Sequence, residues 1–499
     1  MTTYKISDVS DDNSETGDVS SSDMNIYSNG RLRLPQVEQV LQRPFITPFI
    51  AQLSRPLVTQ AVREYFAKVR ASQQSQTITH FDLEAGITRE LSKLMLVRQQ
   101  RVINATGTII HTNLGRSPIS PELWDQVKDV NTHYNNLELA LHKGKRGQRK
   151  GLIAELLQAL TGADNALVVN NNACSVYLIL LALAQGKEVI VSRGEQIQIG
   201  GGFRIPDILA MSGAKLVEVG TTNVTTCGDY INAITENTAM VLLVHQSNFA
   251  IRGFTESVDI KALKARLPED VILAVDQGSG VSTEDFCPEE KDIGRYIKQG
   301  ADLVCFSGDK IIGGPQAGIV CGRDDLVQIL EKSPMMRAFR PGRIILSLLE
   351  ALLVEKLNRS DMGKGISQAQ IERLPLTKRY AEKLACYFGD KVEVQPMTAV
   401  VGGGTLPDCD YPCYGVAIVG EAKLLSEQLR ACPIPVIGVI NRDRFVLNLA
   451  SVTEDDFEVL FEQLCALFAP EQQPVSQKAL SQERVSQELG QGKQQEGNS

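Results

Sequence analysis

Leu303-Val304-Cys305-Phe306-Ser307-Gly308-Asp309-Lys310, continuing as Ile311-Ile312-Gly313-Gly314-Pro315-Gln316-Ala317-Gly318, is an apolar strand that runs into a lysine and a glycine-rich return. Upstream, another apolar strand over Val271–Val275 ends in Asp276 and the tight turn Gln277-Gly278-Ser279-Gly280. A lysine at a strand end can condense with the aldehyde of pyridoxal phosphate, and a carboxylate at a neighbouring strand end can keep the pyridine nitrogen protonated so that the ring accepts electrons. Lys310 and Asp276 are therefore the candidate catalytic pair. Either one alone is weak grounds, because surface lysines and strand-end aspartates are common.

On either side of these runs, strands alternate with helices. Ala166–Val169 leads into a helix over Ala173–Ala184, and Glu188–Val191 into one near Ile205–Met211. Strands at Lys215–Val219 and Met240–Val244 follow, with helical segments at Tyr230–Glu236 and Ile293–Lys298. Such alternation predicts an α/β fold with a mostly parallel sheet covered by helices. Ligands of that fold bind outside the carboxyl ends of the strands, where Asp276 and Lys310 fall. At one such end, Asn170-Asn171-Asn172-Ala173-Cys174-Ser175 opens a helix whose first N–H groups and dipole suit a phosphate dianion. Plain N-capping by Asn172 is the other reading. Asn171, Asn172 and Ala173 are candidate cofactor ligands, together with Ser307 and with His245 at the end of the Met240–Val244 strand. No GxxxxGK[ST] sequence occurs, which removes the usual nucleotide-triphosphate reading of a glycine-rich turn.

The 499-residue chain is 43% hydrophobic, enough to bury a large core in several domains. Its longest purely apolar run, Val176–Ala184, is about half a bilayer crossing, and no basic-then-apolar leader opens it. A cytoplasmic protein is expected. Ten cysteines without a CxxC pair do not suggest a disulfide framework, and no histidine has metal-ligand spacing. The net charge of −8 is unevenly distributed. Residues 1–30 hold six acids against one lysine and read as a disordered acidic tail, and residues 471–499 read as a disordered Gln-rich tail. Residues 31–101 carry eleven Arg or Lys against five Asp or Glu, with helical periodicity over Leu57–Val69 and Phe81–Leu96 joined by the polar Ser72–Thr79. This reads as a small basic helical domain, although a solvated helical cap has the same pattern.

Long motifs then resemble the bacterial selenocysteine synthases, the L-seryl-tRNA(Sec) selenium transferases. They are VINATGTIIHTNLGR over Val102–Arg116, Asn136–Glu138 with Gly144–Arg149, Asn170–Ala173, VSRGEQIQIGGGFRIPD over Val191–Asp207, Glu218–Asn223, Val244–Asn248, Asp276–Gly280, and SGDKIIGGPQAG over Ser307–Gly318. The resemblance spans about Leu34 to Leu464. It implies a fold-type-I pyridoxal phosphate transferase in which Lys310 removes the α-proton of serine esterified to selenocysteine tRNA, while Asp276 holds the pyridinium. Water leaves to give aminoacrylyl-tRNA, and selenium from selenophosphate adds at the β-carbon. Arg116, Arg337 and Arg340 match arginines associated in the family with the anionic selenium donor, and guanidinium groups suit such an oxyanion. A homodecamer is implied, with the basic residues 31–101 gripping the tRNA, residues 102–345 forming the cofactor domain and residues 346–470 a smaller C-terminal α/β domain. Its expected strands are Val392–Val394, Tyr414–Val419 and Phe445–Leu449.

The chain departs from the family pattern where Val224, Val439 and Ala450 stand in place of arginines, and where Gln198 and Ala140 replace acids. Arg442 or Arg444 is near enough in sequence to compensate. The missing charges motivate an alternative, a fold-type-I lyase or transferase acting on a small free amino acid without tRNA. A catalytically silent tRNA-binding or assembly protein is a third reading, opposed by the intact Lys310 and Asp276. His111 and His245 are placed for the cofactor site; His80, His133 and His142 read as structural.

Overall fold

The computed structural model describes residues 27–28, 31–32, 34–71, 80–196, 198–199, 202–245, 251–284, 290–358, 366–402 and 410–469. The Ser72–Thr79 connection and residues 471–499 lie outside them, as does most of the acidic N-terminal stretch. Within that stretch Tyr27–Ser28 pair antiparallel with Arg31–Leu32. The chain divides into two compact units, residues 1–100 and 101–499.

The first unit is helical, and its longest helices are α1 (Arg55–Ala71) and α2 (His80–Val97). Val58, Val62 and Phe66 recur every fourth residue on α1, as Leu83, Ile87 and Leu91 do on α2. Both stripes fall on one helical face, and they close a core with Val40, Leu41, Ile46 and Leu53. Polar residues are left outside. Lys68 and Lys93 pair with Glu90, at 3.0 and 2.7 Å. Among the described residues Arg63, Arg70, Arg89 and Arg98 enter no ion pair and are exposed.

The second unit is built on a seven-stranded sheet: β1 (Asn165–Val169), β2 (Glu188–Ser192), β3 (Lys215–Val219), β4 (Thr238–Val244), β5 (Ile272–Gly278), β6 (Leu303–Ser307) and β7 (Gly318–Gly322). Their order is β3-β2-β4-β5-β6-β7-β1. All pairings from β3 to β6 are parallel, and β7 runs antiparallel to both β6 and β1. The sheet is mostly parallel, as expected. It is apolar on both faces because helices cover both: along β4, Val241 and Leu243 enter one core while Met240, Leu242 and Val244 enter the other. The antiparallel β7 was not legible, because its glycine-rich approach looks like loop. Gly318 is required there, since a Cβ would lie 2.1 Å from the Asn171 carbonyl oxygen and 2.4 Å from Ser175 Oγ.

A smaller antiparallel sheet follows, with strands β8 (Val392–Val400), β9 (Asp410–Ile418), β10 (Val439–Asn441) and β11 (Arg444–Asn448) in the order β8-β9-β11-β10. Two boundaries differ from expectation. The helix Arg343–Asn358 buries Leu349 and Leu353 in the large-sheet core, so a division between residues 345 and 346 falls inside it. Residues 103–110 pair with late parts of the chain instead of the large sheet: Ile103 pairs with Val436 in a separate two-stranded sheet, Thr106 and Thr108 bridge to Asn448 and Val400 of the small sheet, and Ile110 N–H donates to Val401 O at 2.7 Å.

One ion pair within this unit is shut off from water. Lys356 Nζ lies 2.9 Å from Glu284 Oε1, with both side chains 1% exposed, and Glu284 also accepts the Ser282 and Thr283 N–H groups. Removing one partner strands the other charge in the interior. Lys356→Met should therefore lose about 3–5 kcal/mol in guanidinium denaturation, with much of the loss recovered in Glu284→Gln/Lys356→Met.

Candidate active site

Four strand ends converge on the site. β5 carries Asp276 inside its last turn of ladder instead of after it, the strand continuing to Gly278 with a register shift between Asp276 and Gly278. The Asp276 carbonyl accepts the His245 N–H at 2.9 Å, which fixes the end of β4 beside it. Its carboxyl faces the helix α3 (Asn172–Leu183) and accepts Asn172 Nδ2–H at 2.8 Å, with Cys305 Sγ of β6 at 3.8 Å. Asn171, and not Asn172, caps α3: its side chain accepts the Cys174 N–H at 3.0 Å, which frees Asn172 to reach Asp276.

Lys310 lies in the return between β6 and β7. Gly308 N–H donates to Ala317 O at 2.9 Å and Gly314 N–H to Gly308 O at 2.8 Å, which pins the loop on itself. Ile311 N–H donates to Ser279 O at 3.1 Å and thereby ties the lysine to the turn after Asp276. That turn needs Gly280, whose φ is +77° and whose Cβ would lie 2.7 Å from Ser307 O. On the far side Arg116, at φ +65°, donates from Nη1 to Asp309 Oδ2 at 2.8 Å.

Asp276 and Lys310 are both buried, and they interact electrostatically without a direct ion pair among the described residues. Burial pushes the Asp276 carboxyl up, opposed by Asn172 and Lys310; burial pulls the Lys310 ammonium down, opposed chiefly by Asp276. An acid and an amine are thus held apart, each with its charge in want of a partner. At the start of α3, Asn172 Oδ1 and Ser175 Oγ are buried without hydrogen-bond partners. A helix N-terminus with orphaned polar atoms, a buried lysine and a buried acid fit a phosphorylated pyridine aldehyde.

Of the residues expected at the site, Lys310, Asp276, Asn171, Asn172, Ala173, Ser307, His245 and Arg116 gather at these strand ends. Arg337 and Arg340 form no hydrogen bond or ion pair with them among the described residues. They line a groove of about 560 Å³ with Arg149, Lys150 and Pro334, and Arg340 lies 3.7 Å from Glu138. His111 is occupied locally, its Nδ1 accepting the Asn113 N–H at 3.2 Å. Neither compensating arginine is near the site: Arg442 occupies the two-residue turn between β10 and β11, and Arg444 pairs with Glu393. Two acids were not foreseen. Glu195 accepts the Val244 N–H at 2.9 Å, and Glu290 lies 3.2 Å from His245 Nε2. Glu290 sits in Glu289-Glu290-Lys291-Asp292, which reads as a solvated charged loop. No pattern betrays its burial.

Residues 102–453 match the family described as L-seryl-tRNA selenium transferase, and residues 33–70 the selenocysteine synthase N-terminal family. The chain belongs to this transferase family. It is 38% identical over 88% of its length, and 99% of the relative's, to L-seryl-tRNA(Sec) selenium transferase of Geobacter sulfurreducens. The Nautilia profundicola protein of the same name is 38% identical over 86% of this chain and 96% of its own. A solved D-glucosaminate-6-phosphate ammonia-lyase shares the fold, with a TM-score of 0.53, 19% identity, and coverage of 74% of this chain and 96% of its own. The fold is that of the fold-type-I pyridoxal phosphate enzymes, and pyridoxal phosphate is the family's cofactor. Among the described residues, no helix is long and apolar enough to cross a membrane.

Glu195 as a residue is only half-buried, yet its carboxyl is enclosed, and burial pushes it up to about 8. Its folded value lies above the unfolded one, so its share of stability is complete below about 4.5 and is lost as pH rises through about 8. Glu195→Gln keeps the acceptor for Val244 and cannot ionise. Its melting temperature should fall less than the parent's between about pH 6 and pH 9.

Proposed function

We propose that this protein converts seryl-tRNA(Sec) to selenocysteinyl-tRNA(Sec), with selenophosphate as the selenium donor and inorganic phosphate as the product. One observation carries the reading: both family matches, the catalytic one and the N-terminal one, lie on a single chain whose buried Lys310 and Asp276 are both intact. Pyridoxal phosphate supplies an aldehyde that binds amines and a ring that takes up electrons. The chain supplies the rest. Lys310 would hold the aldehyde and would carry the proton taken from the serine α-carbon. Asp276, oriented by Asn172, would hold the pyridine nitrogen in its protonated form. Ser175, whose buried hydroxyl has no partner, and the start of α3 would take the phosphate. Arg116 supplies a positive charge beside Lys310 for the selenium donor, held in place by Asp309.

The exposed Arg63, Arg70, Arg89 and Arg98 of the helical unit suit the phosphate backbone of the tRNA. Arg337 and Arg340 would serve a selenium-donor site only when another copy of the chain is alongside. Self-association is supported by Trp124, Tyr134, Leu139, Leu141 and Leu152, which are all exposed. A cytoplasmic decamer fits this reading. The free amino acid reading, prompted by Val224, Val439 and Ala450, is not favoured, because an aminoacyl ester has no carboxylate for an arginine to hold.

The test is incubation of purified protein with seryl-tRNA(Sec) and selenophosphate, followed by mass analysis of the aminoacyl group. Selenocysteine is expected, while unchanged serine beside turnover of free serine would overturn the reading. Lys310→Ala should lower the rate at least 10²- to 10⁴-fold, roughly the share of general base catalysis, while tRNA affinity is kept. Exchanging Arg63, Arg70, Arg89 and Arg98 for Gln should weaken tRNA binding and flatten its salt dependence.

A further inference from the structure

Behind the Lys310 site the structure holds a buried acid to which the mechanism above gives no task. The Glu290 side chain is 3% exposed and its Oε1 lies 3.2 Å from His245 Nε2. The same oxygen accepts the Ser279 hydroxyl and lies 3.3 Å from Gln277 Nε2. Gln277 in turn donates to Ser279 Oγ and accepts the Gly280 N–H at 2.7 Å. Ser279 O accepts the Ile311 N–H, one residue past Lys310, and His245 N–H donates to Asp276 O. A single carboxyl therefore joins the turn after Asp276, the loop of Lys310 and the ring at the end of β4.

We propose that Glu290 is a positioning residue that fixes the orientation and tautomer of His245 and, through Ser279 and Gln277, ties that ring to the Lys310 loop. His245 Nε2 is closed to solvent and lies within ion-pair distance of the carboxyl, but out of line for a hydrogen bond with the proton on the ring. The geometry suits a proton carried by the acid. Burial pushes Glu290 up to about 7, opposed by Ser279 and Lys310, while burial, Lys291 and Lys310 pull His245 down to about 4. The other charged or titratable groups facing the pair are Glu284 and Tyr296. A neutral imidazole is thereby kept beside a lysine that has to exchange protons.

The consequence for turnover rests on the transferase reading; the hydrogen-bond arrangement does not. Histidine ¹⁵N signals of the full-length, cofactor-free protein, read by magic-angle-spinning NMR with His245→Gln as the assignment control, report the tautomer directly. The parent should show one neutral tautomer of His245 from about pH 5 to pH 6.5, where Glu290 keeps its proton, and lose that preference as the pH rises through about 7. Glu290→Met, which keeps the length and removes the donor, should switch or mix the tautomers, and Ser279→Ala should mix them in part. With cofactor, Glu290→Met should lower kcat about tenfold or more with KM for seryl-tRNA unchanged. An unaltered His245 signature in Glu290→Met overturns the proposal, and so does one in Ser279→Ala should the first variant not fold. A changed signature with unchanged kcat overturns the catalytic role. A parent with the expected signature but no transferase activity would count against the functional reading and leave the hydrogen-bond arrangement standing.

Discussion

The second unit is arranged around an unsatisfied pair of charges. Asp276 and Lys310 are buried at the carboxyl ends of adjacent strands, near enough to feel one another and without a direct ion pair. In a low-dielectric interior such a gap is unfavourable until something bridges it, and the surrounding bonds serve to keep it open. Asn172 and the His245 N–H hold the acid from one side, while the Ser279 carbonyl and the Gly308 contacts hold the lysine loop from the other. A rigid separation between two opposite groups is what a flat, charged heterocycle needs in order to be seized at both ends.

Much of this was legible because strands buried on both faces leave a strong signal. Leu303–Phe306 and Val271–Val275 are unbroken apolar runs, and the chemistry-bearing residues follow directly after such runs in a parallel sheet. The helical stripes of the first unit are equally plain. Val58, Val62 and Phe66 share a helical face, whereas a strand would set the polar Gln60 and Glu64 among them. What escaped depends on contacts distant in sequence. The polarity of β7 is set by its fit between β6 and β1, and nothing in Gly318–Gly322 announces a direction. Glu195 and Glu290 look like surface acids, and only the folded chain encloses them. The capping of α3 also shifted by one residue, a change that three successive asparagines conceal.

The absent family arginines acquire a local meaning in the small sheet. Ala450 is buried with Leu374, Ala399 and Cys413, in a pocket that has no room for a long cation. Its neighbour Asn448 uses both ends of its amide, donating to Thr398 O at 2.9 Å and accepting the Ala450 N–H at 3.0 Å. This corner is built from neutral hydrogen bonds, and the loss of charge there is part of a consistent set of side chains.

The pairing of residues 103–110 with late strands of the chain has a consequence for biosynthesis. Ile103 pairs with Val436, and Ala105 accepts from and is covered by elements made hundreds of residues later. While the ribosome is still completing the chain, this early segment has no partner, and its apolar side chains wait beside a large sheet that can already assemble. The final strands therefore act as a clasp: they close the ring of contacts, and a nascent product that stops short of them keeps an open, sticky seam for chaperones to find.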